Sequence, residues 1–335
     1  MKAVVIQNGF GLDHLGYVDR ADPTPGPGQV LVRIRGVSLN YRDLLIATGQ
    51  YGRGAVLPRV LGSDGAGEVV AIGTGVTSWA VGERVIGCFF PNWPGGPISE
   101  AATRGAFGGD RDGVLAELVL FEEGGLVAIP GDLSFEEAAT LPCAAVTAWN
   151  ALTGGGCSPG KTVLLQGTGG VSVFALQFAK AMGARVLVTS GDDQKLARAM
   201  DMGATAGVNY KTNPDWDKWA RTQTSGEGVD LVVEVGGSGT LERSAKAVRY
   251  GGHIALIGVL AGVGTFNPIH VLMKAITLQG IFVGSRAMFE DMNRLIAGEG
   301  VRPVIDRVFP FDQAADAFHH LKSGTHFGKV VIRVG

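Results

Sequence analysis

The residues best placed to do chemistry as a group lie in mid-chain, at Gly167-Thr168-Gly169-Gly170-Val171-Ser172. They follow a short β-branched run, Thr162-Val163-Leu164-Leu165-Gln166, and open a helical pattern in which Val171, Phe174, Ala175 and Phe178 fall at i, i+3, i+4 and i+7. Glycines at such a turn let backbone N–H groups approach a pyrophosphate, and the helix N-terminus adds partial positive charge. Gly183 closes the helix where a left-handed residue is needed. Ser172 occupies the third position of the glycine signature, so the strand and helix around the turn carry the reading as a dinucleotide site. Gly167 to Val171 are the expected contacts.

The next strand, Arg185-Val186-Leu187-Val188-Thr189, ends at Ser190, where a NAD-preferring site usually has an acid for the ribose hydroxyls. A small hydroxyl there can donate to a 2′-phosphate, and Lys195, one turn into the following helix, can supply charge. NADP(H) is the expected cofactor. Asp192 and Asp193 keep NAD(H) as the alternative.

The elements that must position these residues fall into three stretches. Up to about residue 125, short β-like runs such as Gly28 to Ile34 and Gly67 to Gly73 alternate with Gly and Pro turns, which predicts a small β-rich domain. From about 144, strands and helices alternate: the Leu196, Ala199, Met200 helix ending at Gly203, then Val229 to Val235 and His253 to Gly258. That alternation predicts parallel βαβ units in a doubly wound sheet. Beyond about 284 come a helix through Met288, Met292 and Leu295, a strand from Val304 to Phe309, a helix capped by Asp312 and ending before Gly324, and a last strand from Lys329 to Val334.

With 335 residues, 46% of them hydrophobic, the chain has material for about two domains. A net charge of −2 gives no basic footprint for nucleic acid. Cys88, Cys143 and Cys157 are odd in number and scattered, as expected of a reducing compartment. The apolar N-terminal run is too short for a signal peptide and no stretch is long enough for a membrane span, so a cytoplasmic protein is expected.

Taken in order, Gly62-Ser63-Asp64-Gly65-Ala66-Gly67-Glu68-Val69, Leu141-Pro142-Cys143-Ala144-Ala145-Val146-Thr147-Ala148-Trp149, the Gly167 turn and Gly280-Ile281-Phe282-Val283-Gly284-Ser285 resemble the medium-chain dehydrogenase/reductase family, over essentially the whole chain. The resemblance implies an α/β fold with a GroES-like catalytic domain from residues 1–143 and 284–335 and a Rossmann dinucleotide-binding domain from 144–283. It also implies a homodimer, in which the uncharged edge strand Ile276 to Val283 pairs with its two-fold mate.

Departures from the family decide the chemistry expected. Zinc alcohol dehydrogenases of this family hold the metal through a Cys, a His-Glu pair and a later Cys or His; at those positions stand Asn40, Ser63 with Asp64, and Cys143. One thiol and one carboxylate do not make a three-ligand open site, and Pro91 to Gly113 contains no Cys for a structural zinc, so no metal is expected. Arg42 and Leu45 replace the groups of the alcohol proton relay. Without a metal to hold an alkoxide, the accessible reaction is hydride delivery from NADPH to a small electron-poor acceptor, a quinone or an α,β-unsaturated carbonyl. A zinc-free NAD(P)-dependent alcohol or aldehyde dehydrogenase is the alternative, and a nucleotide-binding sensor or structural protein is the alternative of another class.

Site residues follow from the same resemblance. Ser38 to Asp43 is similar to the Asn and Asp pattern of zinc-free quinone oxidoreductases, and Tyr51 stands where the enoyl thioester reductase branch carries its proton-donating tyrosine. Asn40 is expected to contact a carbonyl or ribose, Asp43 to orient its neighbours and Arg42 to be a surface charge. Thr147 matches a nicotinamide contact, Gly258-Val259-Leu260 a segment lining the ring, Val283, Gly284 and Ser285 the exit from the nucleotide domain, and Tyr210 a tyrosine that reaches the 2′-phosphate.

Overall fold

A computed structural model describes residues 1–51, 56–258, 260, 262 and 264–335. The chain divides into two compact units, one of Met1–Val146 with Gly284–Gly335 and one of Thr147–Val283.

The first unit opens with β1 (Lys2–Ile6), β2 (Leu15–Asp19) and the long β3 (Gln29–Leu39), in which Val30, Val32, Ile34, Val37 and Leu39 are buried. Asn40 then takes an extended conformation and starts α1 (Tyr41–Ala47), and the Asp43 carboxylate accepts the Asn40 N–H at 2.8 Å, which fixes the entry angle of the helix. β4 (Arg59–Val60), β5 (Asp64–Ile72), β6 (Arg84–Gly87), β7 (Leu118–Glu122) and β8 (Leu126–Ala128) complete the β-rich part, followed by α2 (Phe135–Ala138) and a single π-turn, Leu141–Ala145.

After α3 (Val146–Gly154) the second unit alternates β9 (Thr162–Gln166), α4 (Gly170–Ala181), β10 (Arg185–Ser190), α5 (Asp193–Asp201), β11 (Ala206–Asn209), α6 (Trp216–Thr222), β12 (Val229–Glu234), α7 (Leu241–Ala247), β13 (Val248–Leu256), α8 (Ile269–Met273) and β14 (Thr277–Gly280). The strands form one parallel sheet in the order β11-β10-β9-β12-β13-β14. β9 is buried along its whole length because it has a strand on either side and helices over the faces. Strand order reverses between β9 and β12, the switch point at which ligands meet the carboxyl ends of such sheets. β14 is shorter than the Ile276 to Val283 strand expected. Pairing stops at Gly280, and Val283 has turned to φ 53°, its carbonyl accepting a 2.7 Å bond from Asn150 Nδ2.

The chain returns to the first unit through α9 (Arg286–Glu299), β15 (Ile305–Pro310), α10 (Ala314–Ser323) and β16 (Lys329–Arg333). A seven-stranded sheet, β15-β16-β3-β5-β6-β8, with β7 pairing β3, thus joins the two ends of the sequence, and β2-β1-β4 lies apart from it. This is the GroES-like arrangement, and the parallel sheet of the second unit is Rossmann-like. Asp312 does not cap α10. It sits inside a 3₁₀ turn, Phe311–Gln313, and the first helical N–H, that of Ala314, is met by the Tyr17 hydroxyl at 3.3 Å. Gly324 ends the helix at φ 67°.

Candidate functional site

The glycine turn is built as a cradle. Gly167 follows β9 at φ 70°, a conformation glycine adopts without strain, and neither Gly167 nor Gly169 has any atom within 4 Å of where a Cβ would stand. Gly169 takes the N-cap position of α4 with no side-chain cap, so the first-turn N–H groups, those of Gly170, Val171 and Ser172, have no acceptor in the helix. Ser172 is buried and its hydroxyl donates to the Gln166 carbonyl at 2.6 Å. It ties the helix start to the strand end where the family signature has a third glycine. Thr168 is buried beside it. These features fit the pyrophosphate of a dinucleotide.

At the carboxyl end of the switch point lies a network that the sequence did not disclose. Glu234, at the end of β12 and fully buried, accepts from Gln166 Nε2 at 2.7 Å, Gly236 N at 2.8 Å, Gly237 N at 3.0 Å and Thr240 Oγ1 at 2.5 Å, and from the Ser244 hydroxyl. It fixes the loop after β12 against β9. Gly258 packs so closely on that loop that a Cβ would fall 1.9 Å from the Val235 carbonyl oxygen. Leu260 is exposed and Thr147 buried; Val259 lies outside the described residues.

At the tip of β10 the Ser190 hydroxyl is buried and engaged locally, accepting the Asp192 N–H at 3.2 Å and donating to the Asp192 carbonyl at 3.1 Å. Asp192 caps α5 by accepting the Lys195 N–H at 3.0 Å, and that bond holds its carboxyl below the usual range. Tyr210 and Lys211 close around Gly191: a Cβ there would lie 2.5 Å from the Tyr210 hydroxyl and 3.0 Å from Lys211 Cε. Parallel pairing brings this about, since Ser190 registers with Asn209, the residue before Tyr210. Lys211 was missed as a candidate. Its signal was position, immediately beyond β11, the strand that pairs with β10.

In the first unit, Asn40, Asp43, Ser63, Asp64 and Lys329 form one buried cluster, with the half-buried Cys143 beside it. The Lys329 ammonium donates to the Leu39 carbonyl at 2.7 Å and to Asn40 Oδ1 at 2.5 Å, while Asn40 Nδ2 donates to Ser63 Oγ at 3.3 Å. Both ends of the Asn40 side chain are therefore engaged inside the protein. Asp64 accepts from the Ser63 hydroxyl at 2.7 Å and from the Cys143 N–H at 2.9 Å. Burial pushes the Asp64 carboxyl up and the Lys329 ammonium down, each opposed by the charge of the other; burial likewise pushes the Cys143 thiol far up.

A zinc ion does not fit these residues. They offer one thiol and one carboxylate, the carboxylate already receives two donors, and the Lys329 ammonium bonds Asn40 beside them. No group of three His, Cys, Asp or Glu residues suited to a metal occurs among the described residues.

Arg42, expected as a surface charge, is only 8% exposed. Pairing of β3 with β5 sinks the start of α1 into the unit, and the guanidinium donates from Nη1 to the Phe107 carbonyl at 3.0 Å and to Asp43 at 3.3 Å. Its Cζ lies 5.1 Å from the centre of the Tyr51 ring, which packs against the core, and 4.9 Å from that of Phe89. Ser285 caps α9, accepting the Met288 N–H at 3.2 Å, and Gly284 fits closely, a Cβ there meeting Val146 at 2.7 Å.

An open, uncapped glycine turn at the switch point of a parallel sheet, joined in one chain to a GroES-like unit, defines a dinucleotide-binding oxidoreductase. The family models agree: residues 26–131 match the alcohol dehydrogenase GroES-like domain and residues 170–298 match the zinc-binding dehydrogenase model. A zinc-type alcohol dehydrogenase-like protein of Schizosaccharomyces pombe is 46% identical over 100% of this chain and 99% of its own length. An acryloyl-coenzyme A reductase of Metallosphaera sedula is 30% identical over 99% of each chain. The crystal structure of an NAD-dependent alcohol dehydrogenase superposes with a TM-score of 0.91 at 36% identity, covering 100% of both chains. The chain belongs to the medium-chain dehydrogenase/reductase family and is an oxidoreductase. No helix among the described residues is long and apolar enough to cross a membrane.

Proposed function

We propose that this protein is a zinc-independent, NADPH-dependent reductase of quinones or α,β-unsaturated carbonyl compounds. The observation that carries the reading is the buried Lys329 ammonium, which bonds Asn40 Oδ1 amid the residues standing where the family's zinc enzymes have their ligands. Alcohol oxidation needs stabilisation of an alkoxide, which a metal supplies elsewhere in the family. Reduction of an activated alkene or quinone needs only donors for a delocalised oxyanion. When bound, NADPH supplies the hydride. The chain's part is to hold its pyrophosphate at Gly167 to Ser172, to hold the 2′-phosphate among Ser190, Tyr210 and Lys211, and to place the Tyr51 hydroxyl as donor to the substrate oxygen, with Asp43 and Asn40 fixing the start of α1. The likeness to an acryloyl-coenzyme A reductase supports an activated alkene as substrate.

The likeness to an NAD-dependent alcohol dehydrogenase, with Asp192 at the tip of β10, favours a second reading: a metal-free alcohol or aldehyde dehydrogenase using NAD(H). Nucleotide titration by fluorescence separates the two. NADPH is expected to bind more tightly than NADH, and Ser190→Asp to flatten or reverse the preference by placing a carboxylate against the 2′-phosphate. Tighter NADH binding by the unmutated protein refutes the NADPH reading.

A further inference from the structure

From the state of the Arg42 guanidinium we infer that the substrate pocket of the first unit recognises a carboxylate, so that the preferred acceptors are unsaturated oxo acids rather than neutral enones. Only Nη1 is committed, to Phe107 and Asp43. Nε and Nη2 are buried and donate no hydrogen bond. Burial works against the guanidinium's charge, while Asp43 and the nearby Tyr51 hydroxyl hold its proton, yet neither Nε nor Nη2 has a partner in hydrogen-bonding geometry. Leaving two N–H donors of a buried cation unmade is expensive, and proteins retain such groups where a ligand completes them. These two nitrogens share the side-on edge of the guanidinium, the fork whose spacing matches the two oxygens of a carboxylate. With the Tyr51 and Phe89 rings lying against the cation, the edge is the direction left for a partner. Gly109 lies against that edge, and a Cβ there would stand 2.8 Å from Nη2, so a larger residue would displace the guanidinium.

The inference rests on Tyr51 facing the substrate, as proposed above, but its test needs neither cofactor nor turnover. Binding of 4-oxopentanoate and of its methyl ester is measured by calorimetry on the whole protein. The acid is expected to bind at least about tenfold more tightly than the ester, and both Arg42→Gln and Gly109→Ala to weaken the acid by roughly ten- to a hundredfold while leaving the ester unchanged, the range for charge-assisted hydrogen bonds. Should Arg42→Gln not fold, Arg42→Lys, which keeps the charge without the fork, is read with Gly109→Ala in its place. Equal binding of acid and ester, as given by an edge that holds only water, or no binding of either, overturns the inference. Acid-selective binding without NADPH oxidation on any enone defeats the proposed reaction and leaves the carboxylate site standing; turnover indifferent to the carboxylate, with equal binding, does the reverse.

Discussion

Asp43 is fully enclosed, and burial pushes its carboxyl from 3.8 up to about 6 even though Arg42 and the Asn40 N–H both favour the charged form. With the folded value above the unfolded one, the group stabilises the fold below about pH 4, and that contribution is lost as pH rises through about 6. Denaturant melts of the unmutated protein and of Asp43→Asn between pH 4 and 7 are expected to diverge, the unmutated protein losing on the order of 3 kcal/mol relative to the variant across that window. Parallel curves would refute the assignment. Tyr51 gives the matching kinetic test. If its hydroxyl holds or protonates the enolate oxygen, Tyr51→Phe lowers enone reduction by roughly ten- to a thousandfold and spares NADPH affinity. Quinone reduction suffers less, because the reduced ring takes protons readily from water. Equal, small effects on both substrate classes return Tyr51 to a packing role beneath Arg42.

Among the elements, what was legible in the sequence was what is local. The β9 strand, the glycine turn and α4 are contiguous, and their periodicity and punctuation suffice to locate them. The buried cluster was not legible, because Lys329 meets Asn40, 289 positions earlier, only after β16 pairs with β3, and a lysine at the start of a strand carries no mark of its burial. The same long-range pairing explains Arg42, whose charge suggested the surface, and Tyr17, which took over the capping expected of Asp312. The position of Tyr210 after β11 was legible, whereas that of Lys211 beside Gly191 depended on how the strand end folds. Gly169→Ala isolates the turn. Gly169 has an ordinary negative φ and open space around it, so the variant should melt within about 1 °C of the unmutated protein yet bind NADPH at least roughly tenfold more weakly, its methyl intruding on the pyrophosphate. Unchanged affinity would place the nucleotide elsewhere.

At the scale of the whole molecule, β14 ends the parallel sheet with no strand on its outer edge among the described residues; Leu278 on it and Phe282 two residues beyond it are exposed, with Ile269, Leu272 and Met273 of α8 exposed in the same unit. An uncharged strand edge of this kind invites pairing, and a two-fold mate offers the simplest closed partner. A homodimer by light scattering at micromolar concentration, dissociated by Phe282→Lys, is the expected result; a monomer unaffected by the substitution would sink the proposal. The central claim is that the molecule moves hydride from NADPH to an electron-poor acceptor without zinc. It is tested most directly by following NADPH oxidation, in chelator and on protein of known metal content, against quinones, enones, enoyl thioesters, aldehydes and alcohols. Turnover of a quinone or an activated alkene that chelator leaves intact is expected, on protein holding well under about one zinc per chain. Stoichiometric zinc, with activity confined to alcohols or aldehydes and abolished by its removal, would contradict it.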